Sequence, residues 1–495
     1  MDLLQNLGGG FEFVMGLLPL LTITAGVCIG ILFGAMPGLS PSMGVALLVP
    51  FTYPMSPTLA LVFLAAVYLA ADYGGSITAV TINAPGTPSA AVTAFDGYPL
   101  TKADKPGIAL GISLIASTVG GLIGTLILIL FSVPLAQVAI SFRPQDYFAL
   151  AVFGLSSLAS VGGKAWGKAL LMALLGLLIN TVGEDPISGV RRFTFGISLL
   201  YDGFPLIPAL IGLFAISEVL MQIEAQNLAA THIDQTQNHW PQLREYWKLK
   251  MVIVRSSFIG TIIGIFPGAG ATIASFVSYD AAKRLSKEPE KFGHGAHEGV
   301  AAAEAANSSS VGGALVPLLT LGIPGSASTA VLIGALMVHD VVPGPQLFET
   351  HPEIVYGLFA SLLVANLVLL VLGLFGSRLW VAVTAVPKRI LFPLILVAAV
   401  VGSYSVGNSM FDVGCCLTFG LLGWILRRHQ YPVVPIVLAM VLGDVLEENF
   451  RRAVIRDGYG IFFRSPVCAT ILAISVFSVA IPVWKRRFQN RSKAQ

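Results

Sequence analysis

Long apolar runs, interrupted by clusters of proline, glycine and small polar residues, recur along the whole of this 495-residue chain. Runs of about 20 apolar residues are typical of helices that cross a bilayer. Several runs are short or interrupted, so we expect about ten to twelve full crossings together with re-entrant pieces. The predicted fold class is an all-α polytopic membrane protein, with apolar segments near 13–50, 57–82, 107–134, 146–161, 169–182, 196–220, 251–278, 311–338, 354–376, 388–407, 411–427, 431–446 and 463–484.

Composition supports a membrane protein. The chain is 55% hydrophobic and 11% charged, whereas soluble domains carry about a quarter charged residues. The longest polar stretch, 221–250, is predicted to be a linker rather than a soluble domain. The net charge of +3 is too small to indicate a nucleic-acid partner. Four cysteines lie in apolar segments without metal-ligand spacing, so no metal site is predicted.

The two ends of the chain differ in charge. The first 16 residues lack the basic region of a cleavable signal, so we expect a mature terminus outside the cytoplasm. Near the other end, the basic segment 485–493 ("KRRFQNRSK") follows the last apolar run. Cytoplasmic flanks are rich in Lys and Arg, and this segment is therefore expected in the cytoplasm.

Two pairs of broken segments repeat in the same order. "GILFGAMPG" at Gly30–Gly38 corresponds to "GTIIGIFPG" at Gly260–Gly268 with an offset of 230 residues. "APGTPSAAV" at Ala84–Val92 corresponds to "IPGSASTAV" at Ile323–Val331 with an offset of 239. Upstream of the second pair, a Gly-Gly at 74–75 matches one at 312–313, one residue out of step. The order predicts a duplicated unit.

Basic residues change sides between the two halves. Lys102 and Lys105 follow the second break of the first half, whereas the basic segment 283–291 follows the first break of the second half. This swap favours repeats of inverted topology, and the basic residues of 244–250 argue against it. The predicted organisation is a first half over 1–220, the linker over 221–250, a second half over 251–385 and C-terminal scaffold helices over 386–495.

The breaks have the chemistry of new helix starts. Ser40 before Pro41, and Thr87 before Pro88, are typical N-cap and first-turn pairs, and Ser326 can cap the matching helix of the second half. Helix N-termini attract anions, and carbonyl groups freed by a break can coordinate Na⁺. The breaks are therefore predicted to form the binding site, although ordinary kinks or turns between spans would give the same local sequence.

Two acidic residues lie within apolar sequence. Asp72 is interpreted either as an intramembrane cation or proton site or as an interfacial residue that caps the segment starting at Gly74. Glu304 has His294, His297 and Glu298 as neighbours in sequence, which favours an interfacial helix. The chain has no nucleophile elbow, HExxH or CxxC motif, so an enzyme is not predicted.

Four long motifs resemble one transporter family. "MPGLSPSMGVALLVPFT", "YGGSITAVTINAPGTPSAAVTAFDGYPL", "GIFPGAGATIASFVSYDAAKR" and "GVAAAEAANSSSVGGALVPLLTLGIPGSASTAVLIGAL" are similar to the large membrane subunit of the tripartite tricarboxylate transporters, the TctA family. The resemblance extends over residues 15–450. It implies a secondary active importer of citrate-like di- and tricarboxylates in the bacterial inner membrane, coupled to Na⁺ or H⁺ and needing no other cofactor. It also implies a small TctB-like membrane subunit and a periplasmic TctC-like binding protein as partners.

Site residues are expected on the motifs of both halves. The expected substrate contacts are Asn83, Gly86, Thr87, Ser89, Gly325, Ser326, Ser328 and Thr329. The expected ion-binding positions are Pro37, Gly38, Ser40, Asp72, Pro267, Gly268 and Gly270. The alternative function is an anion channel or exporter that works without a binding protein.

Overall fold

The computed structural model describes residues 3–36, 38–161, 166–224, 243–268, 270–383 and 388–477. Pro37, most of the predicted linker and the basic segment 485–493 lie outside these ranges. The described chain is almost entirely helical, which confirms the predicted fold class. Seven of the described helices are long and apolar enough to cross a membrane, and four shorter apolar helices accompany them. The predicted ten to twelve crossings stay a prediction.

The first half contains two broken pairs of helices. A short α1 (Leu3–Val14) precedes α2 (Leu17–Ala35), and the first break separates α2 from α3 (Pro41–Thr52). The second break separates α4 (Pro57–Ile82) from α5 (Ala90–Lys102). Both interruptions fall where the Pro and Gly clusters predicted them. The half continues with α6 (Pro106–Ile140), α7 (Pro144–Val161) and α8 (Trp166–Asn180).

A hairpin and a distorted helix join the halves. Strands β1 (Gly183–Glu184) and β2 (Arg191–Arg192) pair antiparallel, with Gly183 opposite Arg192. A 3₁₀ turn over Ser198–Leu200 leads to α9 (Leu206–Ile211), a π-helical segment over Gly212–Ile216, and α10 (Ser217–Glu224). The predicted span 196–220 therefore begins about ten residues too early, because the chain before Leu206 is loop.

The hairpin is fixed to the C-terminal part of the chain by charge. Asp185 accepts hydrogen bonds from the Ser188 and Ile187 amides at 2.9 and 2.8 Å. It also accepts one from the Arg451 guanidinium at 2.5 Å. The Ser188 amide, followed by Arg451, holds the pKa of Asp185 well below its usual range. The carboxylate therefore stays ionised, and the link between hairpin and helix persists at ordinary pH.

The second half repeats the element order of the first. Its first break separates α11 (Leu243–Ile265) from α12 (Gly270–Leu285), and its second separates α13 (His297–Leu321) from α14 (Ala327–Val338). A 3₁₀ turn over Pro289–Lys291 precedes α13. After α14 come α15 (Leu347–Thr350), α16 (Pro352–Val383), α17 (Lys388–Gly407), α18 (Met410–Arg428), α19 (Val434–Asp457), α20 (Ile461–Arg464) and a helix over Pro466–Phe477.

Glycine contacts show that the two halves pack in the same way. A Cβ at Gly30 would meet Val67 and Ala70, and a Cβ at Gly260 would meet their counterparts 239 residues later, Ala306 and Ser309. Likewise Gly34 abuts Ala71 and Gly74, and Gly264 abuts Ser310 and Gly313. The α2–α4 crossing is thus repeated as the α11–α13 crossing. Gly74 pairs with Gly313, which removes the one-residue mismatch of the Gly-Gly match.

The halves exchange their long helices. α6 packs along α13 of the second half, whereas α16 packs along α4 of the first. Gly120 and Gly124 of α6 lie against the backbone of Ala305 and Ser309 in α13. The enclosed core of the molecule therefore contains α4 and α13, whose central residues are buried on all sides.

Candidate functional site

The four breaks surround one cavity of about 680 Å³. Its wall contains Gly38–Ser42, Pro85–Ser89, Gly268, Gly270–Ile273 and Ser326–Ser328, together with residues from four further helices. Helices α3, α5, α12 and α14 all begin at this wall. Each N-terminus carries unpaired N–H groups and about half a positive charge. The cavity is therefore suited to an anion.

Serine side chains cap two of these helices as predicted. Ser40 Oγ accepts a hydrogen bond from the Met43 amide at 3.2 Å, with Pro41 in the first turn of α3. Ser326 Oγ accepts from the Thr329 amide at 3.2 Å, and Thr329 Oγ1 accepts from the Ser326 amide at 2.7 Å. This reciprocal capping box fixes the start of α14.

The start of α5 differs in detail from the prediction. The helix begins at Ala90, three residues after the predicted cap. Thr87 Oγ1 nevertheless accepts a hydrogen bond from the Ala90 amide at 3.4 Å and lies 3.0 Å from Ser89 Oγ. The segment 87–89 is a tight turn held by its own hydroxyl groups, since Thr87 also packs against Gly75 of α4.

The cavity brings together most of the predicted site residues. Those that line it are Gly38, Ser40, Asp72, Gly86, Thr87, Ser89, Gly268, Gly270, Ser326 and Ser328. Those that do not line it are Asn83, Pro267, Gly325 and Thr329. Asn83 is exposed at the end of α4, where its left-handed backbone conformation (φ 55°) ends the helix. Thr329 acts through Ser326 as the second member of the capping box.

Backbone groups at the second-half breaks bond to one another. The Gly268 amide donates to the Gly325 carbonyl at 3.1 Å, which joins the two breaks. The Pro267 carbonyl accepts from Ser157 Oγ of α7 at 2.6 Å. In this structure the predicted ion-binding carbonyl of Pro267 is thus already hydrogen-bonded.

Two buried carboxylates lie beside each other in the core. Asp72 is 4% exposed and lines the cavity, and its Oδ2 has no hydrogen-bond partner among the described residues. Glu304 is fully buried and accepts hydroxyl hydrogen bonds from Ser76 at 2.5 Å, Ser117 at 2.8 Å, and Thr93. The interfacial interpretation of both residues is wrong: α5 and α6 supply hydroxyls to Glu304, and Asp72 lies in the middle of α4.

Comparison with known proteins agrees with this geometry. Residues 20–438 match the tripartite tricarboxylate transporter TctA family. The chain belongs to this family. It is therefore a multi-pass membrane component of a transporter that works with partner subunits, and its family is not one of enzymes.

Two relatives come from Agrobacterium vitis. An uncharacterized 52.8 kDa protein in the TAR-I ttuC' 3' region is 38% identical over 495 residues, which cover 100% of this chain and 99% of that protein. An uncharacterized protein in the TAR-II ttuC' 3' region is 40% identical over 224 residues, or 45% of this chain and 93% of that protein. No solved structure shows a significant match to the TctA-family chain.

Sequence reasoning missed four side chains that line the cavity. Tyr68 of α4 brings its hydroxyl within 3.1 Å of Ser326 Oγ and so bridges the two halves. Phe214, Glu218 and Arg427 come from the π segment, α10 and α18. Glu218 and Arg427 are 209 residues apart, and Arg427 ends an apolar helix beside Arg428, a pattern typical of a membrane flank. No local signal in the sequence indicated their pairing.

Proposed function

We propose that this TctA-family chain is the membrane subunit of a secondary active importer for citrate-like di- and tricarboxylates. In this proposal a periplasmic TctC-like protein delivers the anion, a small TctB-like subunit completes the membrane part, and a Na⁺ or H⁺ gradient in the bacterial inner membrane drives uptake. The observation that carries the proposal is the convergence of four helix N-termini on one cavity.

Electrostatics favours an anion with several carboxylates. Four N-termini at about half a charge each supply about two positive charges without burying a lysine. Amides and hydroxyls at Ser40, Ser89, Ser326 and Ser328 can donate to carboxylate oxygens. A volume of about 680 Å³ falls within the range of roughly 300–1,000 Å³ that is usual for small-molecule sites.

Asp72 is the proposed coupling group. A buried carboxylate without a partner in a membrane protein is costly, so it favours a bound cation or a proton. Asp72 also lines the anion cavity, where the cation and the substrate would neutralise each other. We propose that the broken-helix core moves relative to the later helices as an elevator and carries both ligands across.

Uptake in proteoliposomes tests the proposal. The chain is reconstituted with its partner subunits, and accumulation of labelled citrate, succinate and other carboxylates is measured with Na⁺ and H⁺ gradients imposed separately. Uphill accumulation under one gradient is expected. Flux that needs neither a gradient nor the binding protein would instead identify a channel or an exporter, the alternative function.

A double variant tests the location of the site. Thr87→Phe with Ser326→Phe fills the cavity, so uptake should fall to background while membrane insertion is retained. The matched control is Thr418→Phe with Thr470→Phe, two exposed threonines away from the cavity. Normal uptake by the Thr87/Ser326 variant would place the anion elsewhere.

A further inference from the structure

One part of the cavity wall comes from outside the repeated breaks. Phe214, Glu218, Arg427 and Val434 belong to the π segment, α10, α18 and the start of α19. Among the residues that line the cavity, all of them in the described part of the chain, Arg427 is the one Lys, Arg or His. An anion that enters the cavity therefore meets a single full positive charge.

That charge is paired with a carboxylate of the protein. The Arg427 guanidinium bonds to Glu218 Oε2, and the two side chains are 23% and 17% exposed. Its second terminal nitrogen reaches the Leu213 carbonyl of the π segment at 3.4 Å. The Nε of Arg427 is buried and has no acceptor among the described residues. The planar fork of donors is thus only partly used.

The pair also touches the first break. Glu218 Oε1 accepts a hydrogen bond from Gln222 at 3.1 Å on the next turn of α10. The Gln222 amide group packs against Gly38, where a Cβ would come within 2.0 Å of it. The positive φ of 93° at Gly38 belongs to the break that opens α3. Glu218 is therefore linked on one side to the cation and on the other to a predicted anion-binding loop.

We propose that Arg427 binds a carboxylate of the transported anion, and that Glu218 occupies this position until the substrate replaces it. This inference rests on the proposed function. Exchange of one carboxylate for another keeps the buried guanidinium paired, so the step avoids the cost of an unpaired buried charge. The released Glu218 keeps its contact with Gln222 and faces the cavity. Because the exchange needs a negative group, neutral analogues leave the Arg427–Glu218 pair closed.

The neighbouring residues supply a matched control. Arg428 and Glu224 form a second pair between α18 and α10 at 3.2 Å. Their side chains are 55% and 40% exposed, and neither lines the cavity. The two pairs share helices, charge and residue types, so they differ mainly in access to the cavity.

The test measures the KM for labelled citrate uptake by the complete reconstituted transporter. Arg427→Gln should raise the KM at least about tenfold, as expected for losing a charged hydrogen bond. Glu218→Gln should lower the KM, because the competing carboxylate is gone. Arg428→Gln and Glu224→Gln should leave it unchanged. An unaltered KM in Arg427→Gln, or equal effects in both arginine variants, would overturn the inference.

A double variant separates substrate binding from folding. Arg427→Gln with Glu218→Gln removes both charges together, so no charge is left unpaired if the single variant fails to insert. A purely structural pair predicts a normal KM from the double variant, whereas carboxylate binding by Arg427 predicts a raised one. If the wild-type transporter carries no carboxylate at all, the proposed function fails and this inference with it. If the wild type transports citrate and only Arg427→Gln behaves normally, this inference alone fails.

Discussion

Three buried carboxylates in the core differ in how many hydrogen bonds they accept. Asp96 takes amides from Gly293, Gly295 and Ala296 at 2.8–2.9 Å and the Tyr279 hydroxyl at 2.8 Å. Glu304 takes three hydroxyls. A satisfied buried carboxylate holds helices together, whereas the unpartnered Oδ2 of Asp72 leaves room for a ligand.

Replacing Asp72 tests this distinction. Asp72→Asn keeps the shape of the side chain but cannot take up a proton or balance a cation. We expect gradient-driven accumulation of citrate to fall roughly tenfold or more, the effect of losing about 1.4 kcal/mol of ion binding. Exchange of internal for external citrate should continue.

The measurement compares accumulation and exchange in the same vesicles. Asp104→Asn, an exposed acid in the turn after α5, serves as the control. Full accumulation by Asp72→Asn would remove Asp72 from the coupling step and point to the backbone of the breaks instead.

Local chemistry made some residues predictable and left others hidden. Ser40 and Ser326 were found because an N-cap depends on the next three residues alone. Glu304 was misplaced because its sequence neighbours His297 and Glu298 are polar, while three other helices cover it in the fold. The pairing of Arg427 with Glu218 depends on contacts across 209 residues, which no local pattern records.

At the scale of helices, glycine sets how closely α2 and α4 approach. A Cβ at Gly34 would lie 2.1 Å from the Ala71 carbonyl oxygen, and one at Gly264 would lie 2.5 Å from that of Ser310. Neither backbone can yield without moving the break beside it, since both glycines precede a break by a few residues. The crossings therefore hold the cavity wall in place.

Alanine substitutions at these crossings should be equally harmful in both halves. Gly34→Ala and Gly264→Ala are each expected to cost about 1–3 kcal/mol through overpacking. Gly8→Ala in α1 has no atom within 4 Å of the new Cβ and should instead stabilise its helix by roughly 0.5–1 kcal/mol. Thermal unfolding in detergent gives the comparison. Damage from only one of the two crossing variants would contradict the equivalence of the halves.

Helix boundaries were predictable where punctuation was strong. Ser56 and Pro57 start α4, and the predicted span 57–82 is the observed helix. By contrast, α13 begins at His297, whereas the predicted span begins at 311. The small and polar residues between these positions, including Asn307 and Ser310, are buried against α6 and α11, so tertiary packing overrides their low apolarity.

Over the whole molecule, the repeated crossings and exchanged long helices make the two halves one body. Tyr68 adds a hydroxyl contact from α4 to Ser326 across the cavity. The relative orientation of the halves in the bilayer, predicted as inverted, stays a prediction.

Cysteine labelling from each side of the membrane tests the orientation. Tyr53→Cys lies in the loop after the first break of the first half, and Lys287→Cys in the equivalent loop of the second. Inverted repeats place the two thiols on opposite sides, so a membrane-impermeant maleimide should label only one from outside. Labelling of both from the same side would indicate parallel repeats.

The exchange of α6 and α16 has a consequence for synthesis. While the ribosome is still making the second half, α6 has no α13 to cover Gly120 and Gly124, and α4 has no α16. The nascent first half therefore waits in the bilayer with its closest-packing surfaces against lipid. Maturation of this protein is a late, all-at-once event, in which the arrival of the final helices completes both halves together.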